Sequence, residues 1–210
     1  MIRPLLVLTA VLALTACAGP GQGINRYLLP PAGEMNVAPR SGSLLLLEPI
    51  EIAPYLEAEG LLLQIDEITL NQARQHRWAD PLRHQLERGL RQRLGARLPD
   101  THILQDEPVA SGTQPMRLQV RVDRFLGHYA GYALTSGLWQ LWSAKGELLV
   151  SRRFQVETPL QADGYPALVK ALGNGWNEVA AQISSAVQPL VAATPEKSTA
   201  TPDTTAAQPE

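Results

Sequence analysis

The stretch MRLQVRVDRFLGHYAGYALTSGLWQLWSAKGELLVSRRFQVET, residues 116–158, decides the fold. Met116, Leu118, Val120 and Val122 alternate with Arg117, Gln119, Arg121 and Asp123, the period-two pattern of a half-buried strand. Phe125 breaks that phase, which predicts a bulge near Gly127. A second long strand is expected over 129–142, with its turn near Ala130 and Gly131. Ala144, Lys145, Gly146 and Glu147 read as a hairpin turn into a third strand over 148–158. Three successive antiparallel strands therefore form the centre of the chain.

Two helices flank this sheet. Asp80 followed by Pro81 reads as an N-cap acid with proline at the first helical position. Leu82, Leu86, Leu90, Leu94 and Leu98 then recur every fourth residue up to Pro99, making one apolar ridge. Gly89 and Gly95 each weaken such a helix by about 1 kcal/mol relative to alanine, so a close neighbour is expected at both. After Asp163 and Gly164, the residues Tyr165, Val169, Leu172, Trp176, Val179, Ile183 and Val187 follow steps of three and four, an amphipathic helix laid on a core.

Upstream, 27–30 reads as a short strand and 44–52 as one apolar strand buried on both faces. Residues 61–65 and 67–71 read as a hairpin across Asp66, and 101–104 as a further short strand. The order of elements predicts an α+β fold: a mixed, mainly antiparallel sheet with two long helices packed on it.

The chain's start and end differ in kind from this domain. Arg3 and the free amine precede an uncharged, mostly apolar run over 4–16, too short for the roughly 20 residues that span a bilayer. Leu14-Thr15-Ala16-Cys17 matches the bacterial lipobox, and Cys17 is the only cysteine of the chain. Residues 1–16 therefore read as a lipoprotein signal peptide, and Cys17 as a lipid-attachment site rather than a nucleophile. Two or more acyl chains hold a protein stably on a membrane, whereas one does not. Ala18 is not the aspartate that retains proteobacterial lipoproteins in the inner membrane, so the periplasmic face of the outer membrane is the expected destination, with palmitate among the attached lipids. Residues 17–26 read as the lipidated Cys and a tether, and 191–210, rich in Thr, Pro and Ala, as a disordered tail.

Composition excludes more than it assigns. The formal net charge is −2, and losing Arg3 with the leader moves it to −3, which implies no nucleic acid partner. The chain carries no G-x-S-x-G elbow, phosphate-binding glycine loop or H-E-x-x-H. His76, His84, His102 and His128 lack metal-ligand spacing, although His76 and His84 stand eight apart. Glu48, Glu51, Glu57 and Glu59 read as a solvated rim. No cofactor, metal or catalytic residue is expected. Between residues 74 and 97, seven arginines face Asp80 and Glu87, a local net charge of +5. Arg83, Arg88 and Arg91 in this run are candidate contacts for a partner or lipid headgroup, since arginine forks suit carboxylate and phosphate. The alternative is a helix face paired to nearby acids. Tyr129, Tyr132, Trp139, Trp142 and Trp176 could line an acyl-chain groove, or form the core where hairpin and helix meet.

The pieces YLLP (27–30), RWADPL (77–82), VDRFLGHYAGYALTSGLW (122–139) and DGYPALVKALGNGW (163–176), in this order behind a lipobox, resemble the ABC-type transport auxiliary lipoprotein family. The resemblance assigns residues 27–190 to that family's domain. It implies a non-catalytic periplasmic lipoprotein that works beside an inner-membrane ABC or MCE-domain system moving lipids between the two membranes and supporting envelope integrity. It also implies transporter subunits as partners, with a homo-oligomer left open. A free-standing lipid-binding lipoprotein and an envelope hydrolase with an unrecognised site are the rival readings.

Overall fold

The structure, a computed structural model, describes residues 23–31, 43–105 and 114–192. Cys17, the leader and most of the tail lie outside the described residues.

The spine is β7 (Met116–His128). Along one edge it pairs antiparallel with β8 (Tyr132–Trp142), which pairs antiparallel with β9 (Leu148–Pro159). Along its other edge three short strands take turns, all parallel to it. These are β2 (Ser43–Leu47) beside Met116 to Leu118, β3 (Glu51–Ile52) beside Arg121 and Val122, and β4 (Gly60–Gln64) beside Gly127 and His128. Outside β2 lies β6 (Thr101–Leu104), parallel to it. Outside β4 lie β5 (Leu70–Trp78), antiparallel, and then β1 (Asn25–Tyr27), parallel to β5. The sheet is thus mixed, and the long β7–β8–β9 ladder supplies most of its antiparallel pairing. Two helices, α1 (Leu82–Arg97) and α2 (Tyr165–Ala192), complete the α+β fold that the residue pattern predicts.

The core lies between the helices and the sheet. All five leucines of the predicted ridge are buried, and α2 buries Val169, Leu172, Trp176, Val179, Ile183 and Val187 against them. Trp176 sits at the centre: its indole N–H donates to the Leu86 carbonyl (3.1 Å), and Phe125 and Phe154 meet it edge-on. Such pairs add about 0.5–1.5 kcal/mol beyond burial.

Several local expectations change. The phase break in β7 comes from Asp123, where the register against β8 slips between Val122 and Arg124, and not from a bulge near Gly127. Gly127 is a close-packing position instead, since a Cβ there would stand 2.7 Å from Leu63 Cδ1. The 44–52 run is two strands, because Pro49 has no N–H to give a ladder. Its burial alternates, with Leu45 and Leu47 inside and Leu44 and Leu46 half-exposed. The first strand is 25–27, not 27–30. Residues 129–131 form the β7–β8 turn, with Gly131 at φ +85°, so β8 starts at Tyr132. Asp80 does not cap α1: Pro81 occupies that place without a side-chain cap, and the Asp80 carboxylate faces Arg88 (3.3 Å) and His84 (3.8 Å). Gly89 has its close neighbour, since a Cβ there would stand 2.9 Å from Arg93 Nη1, whereas Gly95 faces nothing within 4 Å.

Candidate functional site

The polar residues of helix α1 divide into an outward set and an inward set. The outward set is paired to acids that sequence order keeps far away. Arg83 reaches Glu57 on the 3-10 turn 54–57 (2.9 Å), and Arg77 of β5 reaches Glu59 (2.9 Å). Arg88 meets Asp80, and half-buried Arg91 is engaged as well. Counting Glu57 and Glu59 with Asp80 and Glu87 lowers the local excess from +5 to +3, and one of the seven arginines, Arg93, is buried. What faces water is a modest basic band interleaved with acids. Of the rim acids, Glu57 pairs with the helix through Arg83, while Glu59 takes Arg77 of β5 and Glu48 takes Arg117 of β7.

The inward set is polar and buried. Gln85, Gly89 and Arg93 are spaced by four, each one residue before a ridge leucine, so they share the buried side of α1. Gln85 Oε1 accepts the Leu29 N–H (2.7 Å), while its Nε2 donates to the Asp80 carbonyl (2.7 Å). Arg93 donates through Nη2 to the Pro30 carbonyl (2.9 Å) and through Nη1 to the Gly89 carbonyl (3.1 Å). Burial, with the Arg97 charge second, pulls its guanidinium down to about 10. Leu29 stands 3.5 Å from a Cβ placed on Gly89, and Pro30 fills the space beside Gly173 at 2.9 Å. Tyr27 adds a hydroxyl contact to His76 Nδ1 (2.8 Å), and its carbonyl accepts the Ala79 N–H (2.8 Å). The YLLP segment is therefore clamped between α1, α2 and β5 at the end of β1, whose Asn25 and Arg26 are sheet residues and not part of the expected 17–26 tether. Glu87, also buried, accepts the Ile50 N–H (2.9 Å) and fixes the corner between β2 and β3. Sequence reading missed Gln85, Glu87 and Arg93 by treating the α1 polar residues as one face; their position next to a ridge leucine was the available signal.

The remaining candidates disperse. Trp139 and Trp176 are core, and Tyr129 is exposed on a turn. His76 is stacked with Tyr165 (4.0 Å) and near Tyr27, away from His84. Among the described residues no group of three or more His, Cys, Asp or Glu could hold a metal, and no helix is long and apolar enough to cross a membrane. A cleft of about 430 Å³ between α2 and β9 has a mixed lining, with Arg152, Arg153 and Glu178 beside Trp139 and Ala181.

The profile of the ABC-type transport auxiliary lipoprotein component family matches residues 27–184, from the clamped segment through most of α2. The chain belongs to this family. It is 32% identical over 187 residues to the intermembrane transport lipoprotein PqiC of Escherichia coli K12 and to PqiC of Shigella flexneri, with 88% of this chain and 97% of either relative covered. A crystal structure of an uncharacterized protein, also 32% identical, superposes with a TM-score of 0.69 over 79% of this chain and 99% of that one. A Xanthomonas campestris protein at 16% identity shares the fold (TM-score 0.57, covering 80% of this chain and 94% of that one). In this transport auxiliary lipoprotein the clamp lies where the matched domain begins, at the end nearer Cys17 in sequence.

Proposed function

We propose that the mature protein is a lipid-anchored, non-catalytic accessory of an ABC/MCE-type system that carries lipids between the inner and outer membranes. It sits on the periplasmic face of the outer membrane through acylated Cys17. The observation that carries this reading is the 32% identity to the intermembrane transport lipoprotein PqiC across nearly the whole of both chains. The lipobox at 14–17 and the clamp that grips the chain just after the tether support it. Arg83, Arg88 and Arg91 contribute to partner docking from the exposed band of α1, beside their own acidic neighbours.

The test is affinity purification of the tagged lipoprotein from its own envelope. MCE-domain and ABC-permease subunits should co-purify, and Cys17→Ser should lose acylation and reduce their yield. An acylated, outer-membrane protein that retrieves neither subunit, from cells whose intermembrane lipid exchange does not change on its deletion, refutes the reading.

A further inference from the structure

One end of the sheet is apolar where no fold requirement makes it so. The β4–β5 turn, residues 65–69, exposes Ile65 and Ile68, the latter at 93%, and Leu70 is exposed at the start of β5. Because Gln64 pairs with His128, the next residues along bring Ile65 beside Tyr129, which is also exposed on the β7–β8 turn. Four of the nine large apolar side chains exposed among the described residues thus gather at this end. The turn holding Ile68 is built rather than loose. Asp66 Oδ1 accepts the N–H groups of Ile68 (2.9 Å) and Thr69 (2.7 Å), and Ile65 N–H donates to the Thr69 carbonyl (3.0 Å).

The anchor leaves the domain toward the same end. Strand β1 runs parallel to β5 with Asn25 opposite His76, so the chain before Asn25 heads toward the Leu70 end of β5. His76 stacks on Tyr165, the first residue of α2, five residues beyond Leu160, whose N–H donates to the Gly131 carbonyl of the β7–β8 turn. On β4, the partners of Arg77 and Leu70 lie four residues apart, roughly 13 Å. The six residue steps from Gly23 back to Cys17 span at most about 20 Å. That length allows the lipid to reach the plane of the turn and keeps the domain close to it.

We infer that the turn end formed by Ile65, Ile68, Leu70 and Tyr129 rests in the headgroup region of the anchoring bilayer, as a second, apolar membrane contact beside the acylated cysteine. This rests on the reading of Cys17 as the lipid anchor. Asp66 and Glu67 immediately precede Ile68, so the contact is driven by apolar burial and not by anionic lipid. Each aliphatic side chain fully buried in this way strengthens retention about tenfold or more. Tyrosine, with an apolar ring and a polar tip, suits the interface. The contact orients the domain, turning the opposite end, with Leu148 and Leu149, away from the membrane.

In the acylated full-length mature protein Cys17 is blocked, so Ile68→Cys or Leu149→Cys introduces the single free thiol. Both sites are exposed and tolerate a label. The labelled proteins are reconstituted into phosphatidylethanolamine–phosphatidylcholine vesicles containing a lipid spin-labelled near its headgroup. The fluorophore at 68 should be quenched several-fold more than that at 149, equally at low and high salt. Equal quenching, stronger quenching at 149, or a label at 68 shielded from water-soluble quencher yet untouched by the lipid quencher would overturn the inference; the last would indicate a second copy on the turn. Mass spectrometry of the same preparation reads the anchor separately. An acylated chain with an unquenched label loses the contact and keeps the anchor, and an unacylated chain with a quenched label does the reverse.

Discussion

Removing the clamp on the YLLP segment should free the entrance of the chain while leaving the core folded. Gln85→Ala deletes the acceptor of the Leu29 N–H, and Arg93→Met deletes the donor to the Pro30 carbonyl while keeping an unbranched apolar stem. A neutral hydrogen bond contributes about 0.5–1.5 kcal/mol net, and one to a charged group about 1.5–3 kcal/mol. The local opening free energy should therefore fall by about 1 kcal/mol in the first variant and about 2 kcal/mol in the second. At about 1.4 kcal/mol per factor of ten, exchange of the Leu29 amide should quicken roughly fivefold and roughly thirtyfold. The Ala79 amide, bonded to the Tyr27 carbonyl, should follow. Amides of Leu90 and Leu94 in mid-α1 should shift only by the change in global stability.

Because both side chains hold adjacent residues, their effects should not add. Once either bond is lost the segment pivots away from the other, giving an interaction of about 0.5 kcal/mol or more in the double-mutant cycle. The measurement is amide exchange on the four proteins, with urea unfolding to fix the global term. Unchanged Leu29 exchange in Arg93→Met, or strict additivity, would refute the clamp. Lowering of the Arg93 pKa to about 10 also fixes a sign. The folded state holds the proton more weakly than the unfolded chain, so the burial penalty is present at neutral pH and is relieved as pH rises from about 10 toward the ordinary arginine value.

Gly95→Ala should stabilise the protein by up to about 1 kcal/mol, since nothing lies within 4 Å of the new methyl, whereas Gly89→Ala should give no gain because its Cβ meets Arg93 Nη1 at 2.9 Å; thermal unfolding of the pair reads this. Ala18→Asp should move the mature protein to the inner membrane under standard proteobacterial sorting, as sucrose-gradient fractionation would show. Arg83→Glu combined with Arg88→Glu should weaken capture of the transporter subunits in a salt-sensitive way while changing stability little, because exposed ion pairs contribute only about 0–1 kcal/mol each. Equal capture at low and high salt would remove the band from the docking surface.

Residue pattern reached the sheet and helices because each long element has one dominant period: the alternation from Met116 to Val122, the four-residue leucine step, and the three-and-four step of α2. It failed where tertiary neighbours overrule the period. Nothing local marks Asp123 as the bulge, and its position is set by pairing with β8, where a Cβ on Gly137 would collide with the Arg121 carbonyl oxygen. Residues 72–78 extend β5 well past the expected strand, and β1, about fifty residues upstream, pairs with the last three of them. For the same reason Asp80 looks like a cap by position yet is used by Arg88, one helical span away. The arginine run was legible as charge, but its pairing was not, since Glu57 and Glu59 enter only when the 3-10 turn packs beside α1.

If Cys17 carries the lipid anchor as proposed, the buried guanidinium of Arg93 has a mechanical use. Strand β1 is three residues long and lies at a sheet edge, so it adds few bonds to resist a pull on the chain before it. Hydrophobic contact would hold Leu29 and Pro30 too, but without direction, and the segment could slide by a residue along the helix. A charge desolvated beside Gly89 and satisfied by one carbonyl of the segment permits a single register, at a cost in stability that an apolar residue would avoid. With that anchor, load arriving at Gly23 would pass through the Leu29 and Pro30 bonds into α1. From there the Leu86 carbonyl hands it to Trp176 and the core of the sheet. On this account Arg93→Met folds and is stable, yet lets the domain tilt on its tether, so the label at Ile68 should lose its preferential quenching even though acylation is complete.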